Sequence, residues 1–385
     1  MSTRRQGSAS TRAPPRLRHD MTSAGAHACD DCLRRTDLVA ALAGRLDIEW
    51  RRRSAPSGVL GLSEAELLEL GDGSVRRRWA RFDPDAARAA IAASGLVVAC
   101  RCSPAYPGEL EDLPDPPTVL HVAGRFAALG TADRVGIVGA RAATAYGMEV
   151  GRELGRALAV AGVPVVSGLA LGIDATAHLG ALAGGDSRPI AVLAGGADRP
   201  YPARGHRLHR AVRDAGAVVS EMPPGFGVHR WAFVARNRII AALCQVLVVV
   251  EAAERSGSLT TADFAAGIGR TVAAVPGRVT ARTAAGTNGL IRDGAPLVRS
   301  ASDVLDLLAD ATGTPRPSAP AAPSRPSDLD PLSRRVLDLV EDGRGTLAEL
   351  ANTPETARAA LRARGQLEAR GLVVRGFGGR YERSA

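Results

Sequence analysis

The sequence of 385 residues contains no lysine, so all of its 49 basic residues are arginines. This absence excludes two classes of site. A P-loop places a lysine on the β- and γ-phosphates, and Schiff-base enzymes form their covalent intermediate on a lysine amine. Anion binding by this chain would instead have to rely on arginine side chains and on neutral donors.

Long apolar runs are also missing. No stretch approaches the roughly 20 residues of a membrane helix, and residues 246–250 have the length of a buried strand. The arginine-rich N-terminus has no apolar stretch behind it, so it does not resemble a secretory signal, and Met21 is an alternative start. Five cysteines do not make a secreted disulfide framework. We therefore expect a cytoplasmic protein.

The balance of 49 basic and 40 acidic residues gives a formal net charge of +9. Alanine and glycine are abundant as well, as in GC-rich coding, so part of the arginine excess reflects genome composition. The charge is a moderate indication of an anionic partner. Hydrophobic residues make up 45% of the chain, which is enough for a sizeable core and excludes disorder throughout.

The two ends of the chain differ in pattern from its centre. Residues 1–28 are polar and without periodicity, which predicts a disordered tail. Residues 29–100 are predicted to form a helical domain, because leucines such as Leu38, Leu42 and Leu46 recur at helical spacing. Residues 311–327 contain five prolines and are predicted to be a linker.

Residues 328–385 are predicted to form a winged-helix domain. Helices are expected near 331–341, 346–351 and 354–369, with Thr353 as the cap of the third and Pro354 in its first position. Strands at 372–375 and 380–382 follow, joined by a glycine-rich turn. Seven arginines against two acids lie between residues 358 and 385, so this unit could bind duplex DNA or dock a protein.

Residues 101–310 alternate short β-branched runs with alanine-rich helical stretches. This alternation predicts an α/β domain, with a doubly wound, Rossmann-like parallel sheet covered by helices on both faces. The predicted strands are residues 135–138, 163–166, 190–193, 217–219, 246–250 and 271–275.

Glycine turns, hydroxyl groups and arginines follow several of these strands. Ligands of an open parallel sheet bind beyond the carboxyl ends of its strands. There, glycines let backbone N–H groups approach closely, helix N-termini carry partial positive charge, and arginines add forked donors. This edge is therefore predicted to bind phosphate groups. The predicted binding residues are Gly139, Arg141, Gly168, Arg236, Asn237, Arg238, Arg255, Ser256, Gly257, Ser258, Thr260 and, more weakly, Asn288.

A dinucleotide is disfavoured as the ligand, because the GxGxxG fingerprint is absent after the first strand. We expect no cofactor. The aromatic residues make up only 3% of the chain, and Phe226, Trp231, Phe233 and Phe264 are expected in the core rather than as a stacking surface. Contacts to the phosphate backbone should therefore dominate, with little sequence preference.

Six distinctive sequence blocks follow one another in the central region. They are VGIVGARAATAYG, VVSGLALGIDATAH, IAVLAGGADRPYP, SEMPPGFGVHRWAFVARNRIIAAL, VVVEAAERSGSLTTADFAAGIGRTVAAVPG and GTNGLIRDGA. A lead-in segment, PAYPGELEDLPDPPTVLHVAG, precedes them. In this order the blocks resemble the signature blocks of the DNA-processing protein A family (DprA, also called Smf), and with the lead-in segment the resemblance covers roughly residues 104 to 300.

The resemblance implies a Rossmann-like domain, with a helical domain of SAM or HhH type before it and a winged helix after it. It implies a homodimer that binds and protects single-stranded DNA and helps to load the recombinase RecA during natural transformation. The strand pocket implied by the family's motifs comprises Gly139, Arg141, Arg255, Ser256, Gly257 and Ser258.

Two other functions remain open. Phosphoribohydrolases of nucleoside monophosphates are similar in sheet and glycine turns, but their catalytic glutamate has no counterpart in the Arg255 to Thr261 segment. We therefore expect no catalytic residue. A regulator that binds duplex DNA through the winged helix alone is the second alternative.

Several residues of possible chemical interest have a simpler interpretation. Asp174 and His178 are expected to hold the turn after the second parallel strand, and Glu251 to orient Arg141 or Arg236. Two cysteine pairs could together make a four-thiolate zinc site. The second pair is more closely spaced than in a usual zinc knuckle, so unpaired cysteines and no metal are predicted. These pairs are Cys29 with Cys32 and Cys100 with Cys102.

Overall fold

The computed structural model describes residues 25–52, 60–130, 133–185, 188–314, 328–341, 346, 354–375 and 381–383. Two compact units divide between residues 319 and 320. Most of the predicted tail and linker, Thr353 and most of the expected helix at 346–351 lie outside the described residues.

Five helices open the first unit. Ser63 and Glu66 form a reciprocal capping box at the third, and Asp72 and Asp83 cap the fourth and fifth. The leucines that predicted this region are buried in it. The helices are α1 (Asp30–Ala41), α2 (Ala43–Arg52), α3 (Glu64–Leu70), α4 (Gly73–Ala80) and α5 (Pro84–Ala93).

An eight-stranded sheet forms the centre of the first unit. Its strands are β1 (Val97–Cys100), β2 (Val119–Gly124), β3 (Val135–Val138), β4 (Val165–Ser167), β5 (Ile190–Val192), β6 (Ala217–Ser220), β7 (Val246–Val249) and β8 (Thr271–Ala274). Their order across the sheet is β1-β2-β6-β5-β4-β3-β7-β8. The last six positions are parallel, as predicted, whereas β1 and β2 are antiparallel additions at one edge. The predicted helical segment 29–100 therefore ends in a strand of the central sheet.

Helices cover both faces of this sheet, which confirms the doubly wound α/β fold. Along β7, Leu247 and Val249 belong to one core cluster, whereas Val246 and Val248 belong to another. This alternation follows from the two-residue period of a strand. The covering helices are α6 (Ala145–Val160), α7 (Ile173–Ala183), α8 (His206–Ala215), α9 (Arg230–Ala242), α10 (Gly257–Gly267), α11 (Ala285–Arg292) and α12 (Ala301–Thr312).

The strand order reverses between β3 and β7, which are neighbours in the sheet although three strands, β4, β5 and β6, lie between them along the chain. The loops that follow these two strands therefore diverge and leave a crevice at their carboxyl ends. Such a switch point is where open α/β sheets bind ligands.

The second unit contains two helices, α13 (Pro331–Glu341) and α14 (Pro354–Ala369), and the antiparallel strands β9 (Val373–Arg375) and β10 (Tyr381–Arg383). Pro354 begins α14, as predicted. Leu337, Leu367 and Val373 are buried in its small core. The winged helix itself remains a prediction, since the turn between the strands lies outside the described residues. None of the helices in the described part of the chain is long and apolar enough to cross a membrane.

Four cysteines come together where α1 meets the end of β1, and their sulfur atoms all lie within 4.8 Å of one another. They are unpaired thiols, as predicted, but the sequence did not indicate that the two pairs are neighbours. They are Cys29, Cys32, Cys100 and Cys102.

Two buried histidines make the fold sensitive to acid. Burial lowers the pKa of His121 and that of His178 to about 4, whereas an unfolded histidine titrates near 6.5. Between these values the unfolded chain binds protons that the folded chain does not. Stability is therefore present above about pH 6.5 and is lost as the pH falls toward 4.

We predict that each histidine lowers the free energy of unfolding by about 2 kcal/mol between pH 7 and pH 5. Urea denaturation over this pH range, for the wild type and for His178→Leu, measures the effect. The variant should lose only the part of the slope that His178 contributes, because His121 and His209, whose pKa burial also lowers, remain in both proteins. An identical pH dependence in the two proteins would contradict the assignment.

Candidate anion-binding site

A cavity of about 440 Å³ lies at the switch point, beyond the carboxyl ends of β3 and β7. Its walls come from the turn after β3, the loop after β4, helix α9 and the start of α10. The predicted residues that line it are Gly139, Arg141, Arg236, Asn237, Ser256, Gly257 and Ser258. A smaller cavity of about 100 Å³ adjoins it and shares Arg141, Phe233 and Arg236.

Arg236 projects from α9 into both cavities and is 5% exposed. Its Nη1 lies 3.9 Å from Asp174 Oδ2, and its Nε and Nη1 atoms have no hydrogen-bond partner among the described residues. Burial lowers the pKa of Arg236, with Asp174 opposing the shift, but an arginine remains protonated in proteins. A buried cation with unused N–H groups is thus presented to the cavity.

Gly168 allows this guanidinium to lie close against the loop after β4. A Cβ atom at residue 168 would fall 1.3 Å from Arg236 Nη1 and 2.3 Å from its Cζ. Gly168 therefore acts through the position of Arg236 rather than by lining the larger cavity.

Asp174 holds the same loop. Its Oδ2 accepts hydrogen bonds from the backbone N–H groups of Gly168 at 3.2 Å and Ala170 at 3.4 Å. Burial raises the pKa of Asp174, and Arg236 opposes that rise. The expected turn-holding role of Asp174 agrees with these contacts.

Arg141 lies at the open side of the cavity and is exposed. Its Cζ atom lies 4.7 Å from the centre of the Phe233 ring, within the range of a cation–π contact. Tyr201, which is half exposed, lies on the other side of the adjoining cavity with its ring centre 5.6 Å from that of Phe233. Phe233 was expected in the core, but it forms part of both cavity walls.

The N-terminus of α10 supplies neutral donors. Ser256 caps the helix, and its Oγ lies 2.8 Å from Ser258 Oγ. Asn237 Nδ2 donates to the carbonyl of Gly257 at 3.1 Å, which joins α9 to the start of α10. The first N–H groups of α10 carry the partial positive charge of a helix N-terminus.

Two residues predicted for this loop lie outside the cavity wall. Arg255 is exposed, between the wall residues Ala253 and Ser256, and so belongs to the rim. Thr260 does not line the cavity, whereas its neighbour Thr261 does, because the turn of helix α10 directs the side chain of Thr261 inward.

The prediction that Arg238 faces the ligand is corrected by the structure. Two residues along α9 from Arg236, it points to the opposite side of the helix. Its Nη1 and Nη2 atoms donate to the carboxylate of Glu221 at 3.0 and 2.8 Å, and Nε lies 3.3 Å from Asp115. Arg238 and Asp115 are buried and Glu221 is partly buried, so Arg238 stabilises the fold and is left out of the proposed site.

The side chains of Asn288 and Glu251 also form hydrogen bonds with backbone groups and do not line the cavity. The side-chain amide of Asn288 accepts from and donates to the backbone of Gly277, at 3.1 Å in each direction. Glu251 was expected to orient an arginine. Instead its Oε2 accepts from the backbone N–H of Thr144 at 2.8 Å, at the start of α6.

Comparison with known proteins decides the family. The model of the family described as DNA recombination-mediator protein A matches residues 97–309, which is more than half of the chain. The chain belongs to this family. The match includes the central sheet and every element that lines the cavity.

Three relatives of this family illustrate the extent of the similarity. A DNA processing protein DprA of Mycobacterium tuberculosis is 44% identical over 223 residues, covering 56% of this chain and 55% of that protein. The chain thus spans about half of that relative's length. The X-ray structure of DprA from Streptococcus pneumoniae superposes with a TM-score of 0.58 at 31% identity, over 72% of this chain and 95% of that one.

The third is DNA processing protein A from Helicobacter pylori, whose structure was determined to explain its single-stranded DNA binding mode. It superposes with a TM-score of 0.50 at 30% identity, over 53% of this chain and 93% of that one.

Three hydroxyl-bearing residues in the walls of the two cavities were not predicted as site residues from the sequence: Tyr201, Thr261 and Thr283. Tyr201 could have been found, because it follows the glycine turn after a parallel strand and so lies at the ligand-binding edge. Thr261 and Thr283 depend on which way α10 and a loop turn, and no local pattern indicates this.

The burial of Arg238 leads to a stability prediction. Replacing Arg238 by Gln should lower the free energy of unfolding by about 3–5 kcal/mol, because buried Asp115 and partly buried Glu221 lose their partner. Urea denaturation measures the change, with exposed Arg141→Gln as the matched control within about 0.5 kcal/mol of wild type. Equal stability of the two variants would be the contradicting result.

Proposed function

We propose that this chain binds single-stranded DNA by its phosphate backbone, protects the strand, and assists RecA loading in DNA uptake and recombination. The observation that carries the proposal is the buried guanidinium of Arg236, which lines a cavity at the switch point and whose Nε and Nη1 atoms have no hydrogen-bond partner among the described residues. The described strand binding of the Helicobacter pylori relative supports it.

A phosphate group would compensate the desolvation of the buried Arg236 guanidinium. Removing a guanidinium from water costs several kcal/mol unless charge and hydrogen bonds replace the water. Asp174 at 3.9 Å supplies charge, but it uses its Oδ2 on two backbone N–H groups. A phosphate group in the cavity would supply the negative charge that the guanidinium lacks, and charge-assisted hydrogen bonds to an arginine are the strong ones.

The remaining donors suit a chain of phosphates rather than a single one. Arg141 lies exposed at the mouth of the cavity and Arg255 at its rim, while Ser256 and the N-terminus of α10 provide neutral donors. These groups contact a sugar–phosphate backbone without reading bases, so the proposed binding has little sequence preference. Phe233 and Tyr201 add a small surface on which one base could stack.

Catalysis is not part of the proposal. Among the described residues that line the larger cavity, Asp174 is the only carboxylate. Its Oδ2 is engaged by the backbone of its own loop and lies next to Arg236, which favours a positioning role over that of a general acid or base. Release of free base from a nucleoside monophosphate would support the phosphoribohydrolase alternative instead.

We also propose that the chain acts as a homodimer through the Rossmann-like unit, as the family resemblance implies. Two cavities on one continuous strand would raise the overall affinity through a high effective concentration at the second site. RecA is the proposed protein partner on the same grounds.

If the cavity binds single-stranded DNA, removing its arginines should weaken the dependence of DNA affinity on salt concentration. Binding of a labelled oligo-dT, measured by fluorescence anisotropy over a salt series, should be tighter than binding of a matched duplex. Arg141→Ala/Arg255→Ala should bind more weakly and lose about 1.4 units of salt slope, at roughly 0.7 per phosphate contact.

A matched control is available at the opposite edge of the sheet. Arg125 follows β2 and Arg188 precedes β5, and both are exposed and border one cleft there. Arg125→Ala/Arg188→Ala removes the same charge and should keep the wild-type slope. If the salt slope falls equally in both double variants, the effect comes from net charge, and the assignment of the cavity as the DNA-binding site is wrong.

The alternative of duplex binding through the second unit has its own test. Arg358 and Arg362 are exposed, one turn apart on α14. Arg358→Ala/Arg362→Ala should leave oligo-dT affinity within about twofold of wild type if the cavity binds the strand, whereas loss of all DNA binding would favour the duplex regulator.

A further inference from the structure

The cysteine cluster joins two segments that are about 70 residues apart in sequence. Cys29 precedes α1, Cys32 lies in its first turn, Cys100 ends β1, and Cys102 lies in the turn that follows. Cys32 Sγ lies 3.9 Å from Cys102 Sγ, and Cys29 Sγ lies 4.0 Å from Cys100 Sγ.

These distances match four thiolates around one ion. A Zn²⁺ ion with tetrahedral bonds of about 2.3 Å places its sulfur ligands about 3.8 Å apart. A disulfide would bring two sulfurs to about 2.05 Å, and all four cysteines are free thiols in this structure. The geometry is thus that of a common centre rather than of two crosslinks.

The surroundings suit a closed metal centre. Cys100 is fully buried, Cys32 is 9% exposed, and Cys102 lies at the surface. The backbone N–H of Cys29 donates to Cys100 Sγ at 3.4 Å, an outer contact of the kind that orients metal ligands. The N-terminus of α1, with its partial positive charge, begins at the same point.

We propose that Cys29, Cys32, Cys100 and Cys102 bind one Zn²⁺ ion in a structural site that joins α1 to the edge strand β1. Four protein ligands leave no open position for a substrate, which is the mark of a structural rather than a catalytic centre. Soft thiolates select zinc over magnesium or calcium.

The site would strengthen a connection that the backbone already makes. The N–H of Cys100 donates to the carbonyl of His27 at 3.0 Å, and Ser103 Oγ donates to the carbonyl of Gly25 at 2.9 Å. Between the two cysteine pairs lie the five N-terminal helices. Zinc would therefore join the start of this helical segment to the end of strand β1, and so hold the segment on the sheet.

Metal content of the full chain, purified under reducing conditions, tests the proposal. Elemental analysis should find about one equivalent of zinc, and Co²⁺ exchanged into the site should give the visible spectrum of tetrahedral thiolate coordination. Cys102→Ser changes an exposed ligand and so spares the core. It should lose affinity by more than the roughly 10–100-fold that follows loss of an outer-shell partner, measured by competition with a chelator.

Cys244→Ser is the matched control, because Cys244 is buried elsewhere with its thiol directed to the carbonyl of Ala241 at 3.5 Å. It should keep the full equivalent of zinc. Iron in place of zinc, disulfides among the four cysteines in freshly purified protein, or equal zinc affinity in Cys102→Ser and wild type would each overturn the proposal.

Discussion

The desolvation of one cation, Arg236, is the constraint on which the candidate site depends. Its guanidinium is buried beside Asp174 with N–H groups that the described residues leave unused. A buried charge without full compensation is costly, so an anion that enters the cavity removes part of that cost. Gly168 makes the arrangement sterically possible, because any larger residue would occupy the place of the guanidinium.

The topology converts this local feature into a site. Reversal of strand order between β3 and β7 opens the crevice, and the turn after each strand brings its own donors to it. The N-terminal helices contribute by holding α9, since the backbone N–H of Trp231 donates to Asp47 and its indole donates to the carbonyl of Ala43. A metal centre that joins α1 to β1 would thus stabilise the helices that position Arg236.

The sheet and the cavity edge were predictable from sequence, because buried parallel strands leave continuous apolar runs and glycine turns mark their ends. The direction in which a side chain points from a helix could not be predicted from the sequence. Arg236 and Arg238 stand in the same sequence context, yet one faces the cavity and the other faces buried Asp115 and partly buried Glu221. The cysteine cluster was underestimated for a related reason: pairing across about 70 residues depends on where β1 joins the sheet, which spacing alone does not reveal.

Gly168→Ala tests the central role of the buried guanidinium most directly, because it changes no charge and displaces only the far end of a flexible side chain. Oligo-dT affinity should fall at least tenfold with stability nearly unchanged, about 1.4 kcal/mol of binding free energy or more. Gly289→Ala, which adds a methyl group in open space, should bind as the wild type does. Wild-type affinity in Gly168→Ala would contradict the account.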